Sequence, residues 1–269
     1  MSTPPAGLHS LHFAQDSSAQ AYRDVQLPRV FEPWARVLLE VVPPQPGDAV
    51  LDVATGPGTV ARQAAALVGP SGRVTGVDIS PAMLAVARAW PPEPGAAEIE
   101  YIESSATSMP VPEAAFDALY CQQGMQHMSD PGAALRQMRR ALKPGGRLGL
   151  AAWTESPFAI FRRIVSQFAL AVDQPTNFGR DAAELKLTLE QAGFQDVQVH
   201  TRRLTVIFEG GVAQALIIAD STSTGPAIAA LPPAKQQEVR ESISRALEAL
   251  LRDGAVHLSS ESNIASARG

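Results

Sequence analysis

The chain contains a single cysteine, Cys121, so it cannot form an internal disulfide, and a lone thiol suits a reducing compartment. No apolar run approaches the roughly 20 residues that a bilayer-spanning helix needs. The N-terminus, Met-Ser-Thr-Pro-Pro-Ala-Gly, lacks a basic region followed by an apolar stretch, so no secretory signal is expected and the location expected is cytoplasmic. Positive charge is also scarce. With 22 Lys and Arg against 27 Asp and Glu, the net charge of −5 offers no electrostatic footprint for nucleic acid or an anionic membrane. No Cys/His cluster suggests a metal. What the chain does have is 45% hydrophobic and 18% charged residues over 269 positions, enough for a packed α/β domain with or without an insertion.

The most informative segment is Val50-Leu-Asp-Val-Ala-Thr-Gly-Pro-Gly58, followed at Val74-Thr-Gly-Val-Asp78 by a second short strand ending in a carboxylate. A strand, a glycine turn, a helix and an acidic strand end about 20 residues on form the layout of a nucleotide-binding βαβ unit. Gly56 and Gly58 let the backbone approach a ligand, and a helix starting at 58 would present its positive end. Gly56-Pro-Gly58-Thr-Val-Ala61 also satisfies the looser dinucleotide pattern G-x-G-x-x-A, which keeps a nicotinamide-dependent oxidoreductase as an alternative. Two residues argue against a diphosphate. Asp52 places a carboxylate beside the turn, and Pro57 removes one backbone N–H from it. A ligand bearing an amine and a positive charge, such as S-adenosylmethionine (SAM), fits better. Asp52 can hold the methionine amino group, its other reading being a buried carboxylate that serves only backbone amides. Asp78 can accept both ribose hydroxyls, while Ser80 before Pro81 is the better cap for the next helix.

Periodicity predicts a helical segment within 13–42, with Val30, Phe31, Trp34, Val37, Leu38 and Val41 on one face. Strands are expected at 49–53, 73–78, 99–103, 116–121 and 146–153, and helices at 58–68, 81–90 and 131–141. Lys143-Pro-Gly-Gly146 reads as a tight turn before the fifth strand. This alternation implies a parallel, doubly wound sheet. Beyond Trp153, helices are expected at 157–172 and 181–192, the latter closed by Gly193. A strand at 196–208, helices at 212–220 and 234–252 and a short strand at 262–267 complete the pattern. The expected organisation is an N-terminal helical segment (1–45), a cofactor-binding core (46–155) and a C-terminal part (156–269) completing the sheet with a helical cap, within one structural domain.

With these blocks in place, the chain resembles class I SAM-dependent methyltransferases, of the type related to ubiquinone/menaquinone-biosynthesis enzymes and small-molecule tailoring enzymes. The resemblance is good over residues 20–155 and rests on the two segments above. Ile102-Glu-Ser-Ser-Ala-Thr-Ser-Met-Pro110, Phe116-Asp-Ala-Leu-Tyr-Cys-Gln-Gln-Gly124 and Leu142-Lys-Pro-Gly-Gly-Arg-Leu148 follow in the family's order. It implies a Rossmann-like seven-stranded sheet of order 3-2-1-4-5-7-6 with strand 7 antiparallel, SAM as cofactor and S-adenosylhomocysteine as product. It further implies that Asp52 and the backbone of Ala54, Gly56 and Gly58 hold the methionine end, that Asp78 takes the ribose, and that Ile79 and Met83 border the adenine. Ser105 and Ala106 would lie at the adenine edge, Gln122 beside the sulfonium, and Tyr22 would close over the cofactor. Two positions depart from the family pattern. Ala54 stands where a glycine is usual, and Ser105 where many members carry an aspartate. A SAM-fold protein that binds without methylating is a further alternative.

A base is needed only where the acceptor must lose a proton. His127, in the loop after the fourth strand, is the candidate; His9, His12, His200 and His257 earn no role. Arg136, Arg139, Arg140 and Lys143 make a basic helix face read as solvated. The expected cap carries Phe158, Phe161, Phe168, Ile217 and Ile218, which by fold analogy points to an apolar or aromatic small-molecule acceptor. The sequence is compatible with a homodimer.

Overall fold

Short apolar strands alternating with one-sided helices give this chain a single open sheet, seen in a computed structural model. The structure describes residues 22–90, 92–170, 172, 175–222 and 224–269, with only the backbone of 22 and 23. His9 and His12 lie outside the described residues.

A widely wound π-helix, Tyr22–Phe31, leads into α1, Glu32–Val41. The sequence suggested one continuous helical pattern here. Pro28 and Pro33 account for the difference, because neither can donate the amide that continues an α-helix. β1 (Ala49–Val53), α2 (Thr59–Val68), β2 (Arg73–Asp78), α3 (Pro81–Arg88), β3 (Glu98–Glu103) and β4 (Phe116–Gln122) follow. A 3₁₀ turn, Met125–His127, precedes α4 (Pro131–Ala141) and β5 (Leu142–Glu155). Then come α5 (Ala159–Gln167), α6 (Ala182–Gln191), β6 (Gln195–Phe208), α7 (Gly211–Ser221), α8 (Thr224–Ala229), α9 (Pro233–Glu248), β7 (Leu251–Arg252) and β8 (Ala255–Arg268).

The sheet order is β3-β2-β1-β4-β5-β8-β6, with β7 paired to β8. The first five strands are mutually parallel. β8 runs against β5: Gly269 bonds to Gly145 and Gly146 at one end, and Glu261 accepts from Thr154 at the other. It also runs against β6, since Thr201 meets Asn263 while Leu204 meets Ser260. The order inferred from the family resemblance is therefore present, with β8 as its seventh strand and β7 added.

The last strand starts earlier than the pattern suggested, and helix α9 stops sooner. Between β7 and β8, Arg252 pairs with Ala255 across Asp253-Gly254, whose φ angles are +49° and +83°. Both central residues are left-handed, as a type I′ hairpin requires, and Asp-Gly is a common pair for it. Helix α8 was not anticipated at all. Gly193 closes α6 as expected: its amide donates to Glu190, and that of Phe194 to Leu189.

The chain forms two compact units. The larger holds 31–154, 175–202 and 261–269; the other holds the described residues of 22–30, 155–172 and 203–260, so the expected C-terminal part is shared between them. In the larger unit all five residues of β1 are buried, as for a central parallel strand covered on both faces. One core joins Leu51, Val53, Leu119, Met138, Leu148, Leu189 and Phe194. Trp34 of α1 is fully buried and meets Trp153 edge-on at 5.4 Å. The other unit packs α9 against α5, α7 and α8 around Phe161, Ile218, Ile228, Ile243 and Leu247. Phe161 and Ile218, expected among the apolar residues of the cap, are core residues of that unit. Among the described residues no helix is long and apolar enough to cross a membrane.

Trp34→Ala removes a fully buried indole and its edge-on partner contact, so it is expected to cost about 3–5 kcal/mol. Urea unfolding measures this; a loss below about 1 kcal/mol would contradict the packing described.

Candidate functional site

Strand register lines the candidate residues along one edge of the sheet. Asp52 pairs with Gly76 on β2 and Tyr120 on β4, so Asp78 and Gln122 each lie two residues further along their strands, at the level of Ala54. Asp78 pairs in turn with Glu103 of β3, which puts Ser105 and Ala106 just beyond the same edge. β1 and β4 are neighbours but not consecutive in the chain. Such a switch in strand order opens a crevice at the carboxyl ends of the strands.

The glycine turn is pinned from several sides. The Thr55 amide donates to Val77 at 3.0 Å, and the Gly58 amide to Thr55 at 2.9 Å. Asp78 accepts the Gly56 amide on one oxygen at 2.8 Å and the Ser80 amide on the other at 2.9 Å. Ser80, not Asp78, caps α3: its hydroxyl accepts the Met83 amide, with Pro81 as the first helical residue. Burial holds the Asp78 carboxyl above its ordinary range, against the pull of these amides.

Asp52 is almost wholly enclosed, at 1% exposure. Its Oδ2 accepts both the Thr55 hydroxyl at 2.6 Å and the Ala61 amide, in the first turn of α2, at 3.0 Å. The amide-serving reading is therefore real but incomplete, since neither bond falls on Oδ1. Burial pushes this carboxyl up to about 7, and the neighbouring Asp78 charge adds to the rise. The two hydrogen bonds and Arg62 oppose it.

Ala54 adopts φ +57°, the left-handed conformation that costs a residue with a Cβ about 1–2 kcal/mol. Its methyl is accommodated because Gly124 has none: a Cβ there would come within 2.5 Å of it. Gly56, at φ +55°, faces open space where a side chain would stand, whereas a Cβ on Gly58 would run into the Tyr101 hydroxyl. The turn thus keeps an open cradle on one side and is packed on the other.

The remaining candidates vary. Ile79 is 71% exposed at the rim, a large apolar side chain open to a planar ligand. Met83 and Ala106 are half-buried. The Ser105 hydroxyl is already engaged with Thr107 at 2.8 Å. Gln122 donates to the Phe31 carbonyl at 3.0 Å, which fixes its amide. His127 is exposed on the 3₁₀ turn beyond Gln122. Tyr22 opens the π-helix, and its side chain lies outside the described residues.

Sequence reasoning missed the residues behind the turn. The Arg62 guanidinium donates to the Pro57 carbonyl at 2.5 Å and stacks on Trp90, 4.4 Å from the ring centre. An arginine in the otherwise apolar and amidic helix Thr-Val-Ala-Arg-Gln-Ala-Ala-Ala-Leu-Val was the available signal. Among the described residues no group of three His, Cys, Asp or Glu side chains is placed to hold a metal.

Comparison with known proteins follows the same lines. A methyltransferase-domain family model matches residues 50–146. A ubiquinone/menaquinone biosynthesis C-methyltransferase, UbiE, of Shewanella baltica is 34% identical over 140 residues, covering 52% of this chain and 56% of that protein. The matched stretch therefore spans little more than half the length of that relative. Among solved structures, phosphoethanolamine N-methyltransferase 2 of Haemonchus contortus, in complex with phosphomonomethylethanolamine and S-adenosylhomocysteine, aligns with TM-score 0.58 and 18% identity over 99% of this chain and 61% of its own. YcgJ of Bacillus subtilis aligns with TM-score 0.58 and 18% identity over 87% and 97%. These two likenesses establish the fold. The family match falls on the very segments that build the turn, and over residues 50–146 the chain is similar to a methyltransferase domain.

Proposed function

We propose that this chain binds SAM at the carboxyl edge of β3, β2, β1 and β4 and transfers a methyl group to a small molecule. One observation carries the reading. A carboxylate is kept almost fully buried at Asp52, although the turn does not need its charge. Both donors reach Oδ2 alone, so an asparagine could satisfy them. Retaining a costly charge beside an open glycine cradle points to a cationic ligand. A diphosphate would meet two carboxylates, Asp52 and Asp78, at a turn whose Pro57 has no amide to offer and whose Gly56 amide is already taken.

The residues suit the cofactor. Asp52 would take the amino group on Oδ1, Asp78 the ribose hydroxyls with its remaining lone pairs, and Ile79 and Met83 would cover the base. Ser105 and Ala106 would border the base, and the fixed Gln122 would bound the reactive end. When bound, SAM supplies an electrophilic methyl group for in-line displacement; the protein's part is to orient the acceptor and exclude water. The Shewanella relative's name, a C-methyltransferase of quinone biosynthesis, supports a small, apolar or aromatic acceptor. The negative net charge supports the same choice over nucleic acid. His127 is the base we propose where the acceptor must be deprotonated. Loss of the acid limb of the pH–rate profile in His127→Gln, with SAM affinity intact, is the expected sign; an unchanged profile removes that role.

Asp78→Ala is expected to weaken SAM binding about tenfold or more in calorimetry, as loss of charge-assisted bonds to the ribose requires. Unchanged affinity would exclude the ribose role.

For Asp52 the pH dependence has a definite sign. The folded state binds the carboxyl proton more tightly than the unfolded chain, because burial raises the group from 3.8 to about 7. Its contribution to stability therefore falls as pH rises from about 4 to 7, and the full cost is present above that. Asp52→Asn should raise the melting temperature more at pH 8 than at pH 5 while reducing SAM affinity at least about tenfold. Equal melting shifts at both pH values would show that no such buried charge exists.

A further inference from the structure

Arg62 lies outside the set of groups expected to touch the ligand, yet it links the two features on which the turn depends. From the first turns of α2 its Nη1 donates to the carbonyl of Pro57, at the apex of the glycine turn, at 2.5 Å. Its planar guanidinium lies over the Trp90 ring at 4.4 Å. A hydrogen bond and a stacking face together leave a guanidinium little rotational freedom, and stacking of this kind is specific to arginine rather than lysine. Burial lowers the Arg62 affinity for its proton, while Tyr101, Glu32 and Asp52 favour its charged form, so it remains a cation at neutral pH.

We infer that Arg62 is a positioning residue for the cofactor site: held over the Trp90 ring, it clamps the glycine turn through the Pro57 carbonyl. The inference rests on the proposed SAM reading for its purpose, but not for its effect on the turn.

The groups facing Asp52 can be taken element by element. Asp78 of β2 opposes its ionisation, and Arg62 of α2 favours it. Tyr101 of β3 and Tyr120 and Cys121 of β4 also feel the Asp52 charge. Burial pushes Tyr101 and Cys121 each up to about 12 and Tyr120 higher still, so all three are neutral near pH 7. Arg62 is thus the one cation set against the Asp78 charge and the burial of Asp52 itself, among the described residues that act on this carboxyl. Removing it should shift Asp52 toward its protonated form, with burial still the largest influence.

The test uses the full chain. Carbon-13 NMR follows the Asp52 carboxyl through pH in the ligand-free protein, and calorimetry measures SAM affinity at pH 7. Arg62→Met keeps a long apolar stem over Trp90 and removes the charge. Its SAM affinity should fall about tenfold, the value of one charge-assisted hydrogen bond, and its Asp52 midpoint should move upward. Arg62→Lys should return the midpoint most of the way but recover the affinity only in part, because an ammonium cannot stack as the guanidinium does. Trp90→Leu, which leaves every charge in place, should weaken SAM binding with little change in the midpoint, and it serves should Arg62→Met fail to fold. Equal affinity in all variants, or unchanged hydrogen exchange of the Gly56 and Gly58 amides in folded Arg62→Met, overturns the inference. Absence of SAM binding by the unaltered protein overturns the cofactor reading instead, while hydrogen exchange of the Gly56 and Gly58 amides in Arg62→Met still decides whether Arg62 clamps the turn.

Discussion

A carboxylate buried at the centre of a parallel sheet is the constraint around which this molecule's site is arranged. Asp52 occupies the fourth of five enclosed positions on β1, where an apolar side chain would be expected. Its desolvation is opposed by the Thr55 hydroxyl, by the Ala61 amide at the start of α2 and by the Arg62 charge. Each comes from the ten residues that follow it, so strand, turn and helix form one electrostatic unit. The turn could not be rebuilt with a different helix without exposing or neutralising that carboxyl.

The sheet supplies what this local unit lacks. Parallel pairing brings Asp78 alongside on one flank and Gln122 on the other, at a common level set by the register. Asp78 then ties the Gly56 amide to the start of α3, so the neighbouring strand holds the turn in place. Close approach is permitted by the absence of side chains: Gly124 yields to the Ala54 methyl, and Gly58 to the Tyr101 ring. The Ala54 methyl is thus accommodated in shape by Gly124, at the cost of a left-handed backbone at Ala54.

Much of this was readable beforehand because it is local. The glycine turn, the acidic strand ends, the Ser80 cap with Pro81 and the close of α6 at Gly193 each involve residues a few positions apart. The misses have two kinds of cause. Some were local signals passed over: Asp253-Gly254 carries the chemistry of a tight hairpin, and Pro28 and Pro33 mark where one helical form gives way to another. Others could not be read from spacing. Trp90 precedes a proline-rich stretch and looks like an ordinary aromatic, yet it is the surface on which Arg62 rests. Phe161 and Ile218 read as apolar residues of a cap, and their burial in the core of their own unit could be known only from how α5, α7 and α9 pack.

By itself, the order of residues determined the alternation of strands and helices, the presence of a glycine turn opening a helix, and the sign of the charge beside it, because these depend on backbone propensity and on neighbours within a single βαβ unit. Tertiary structure alone decided how strongly Asp52 resists ionisation, which oxygen its donors occupy, and which aromatic ring Arg62 rests on. Those quantities depend on solvent exclusion and on distances between segments far apart in the chain, and neither exists until the sheet has closed around β1.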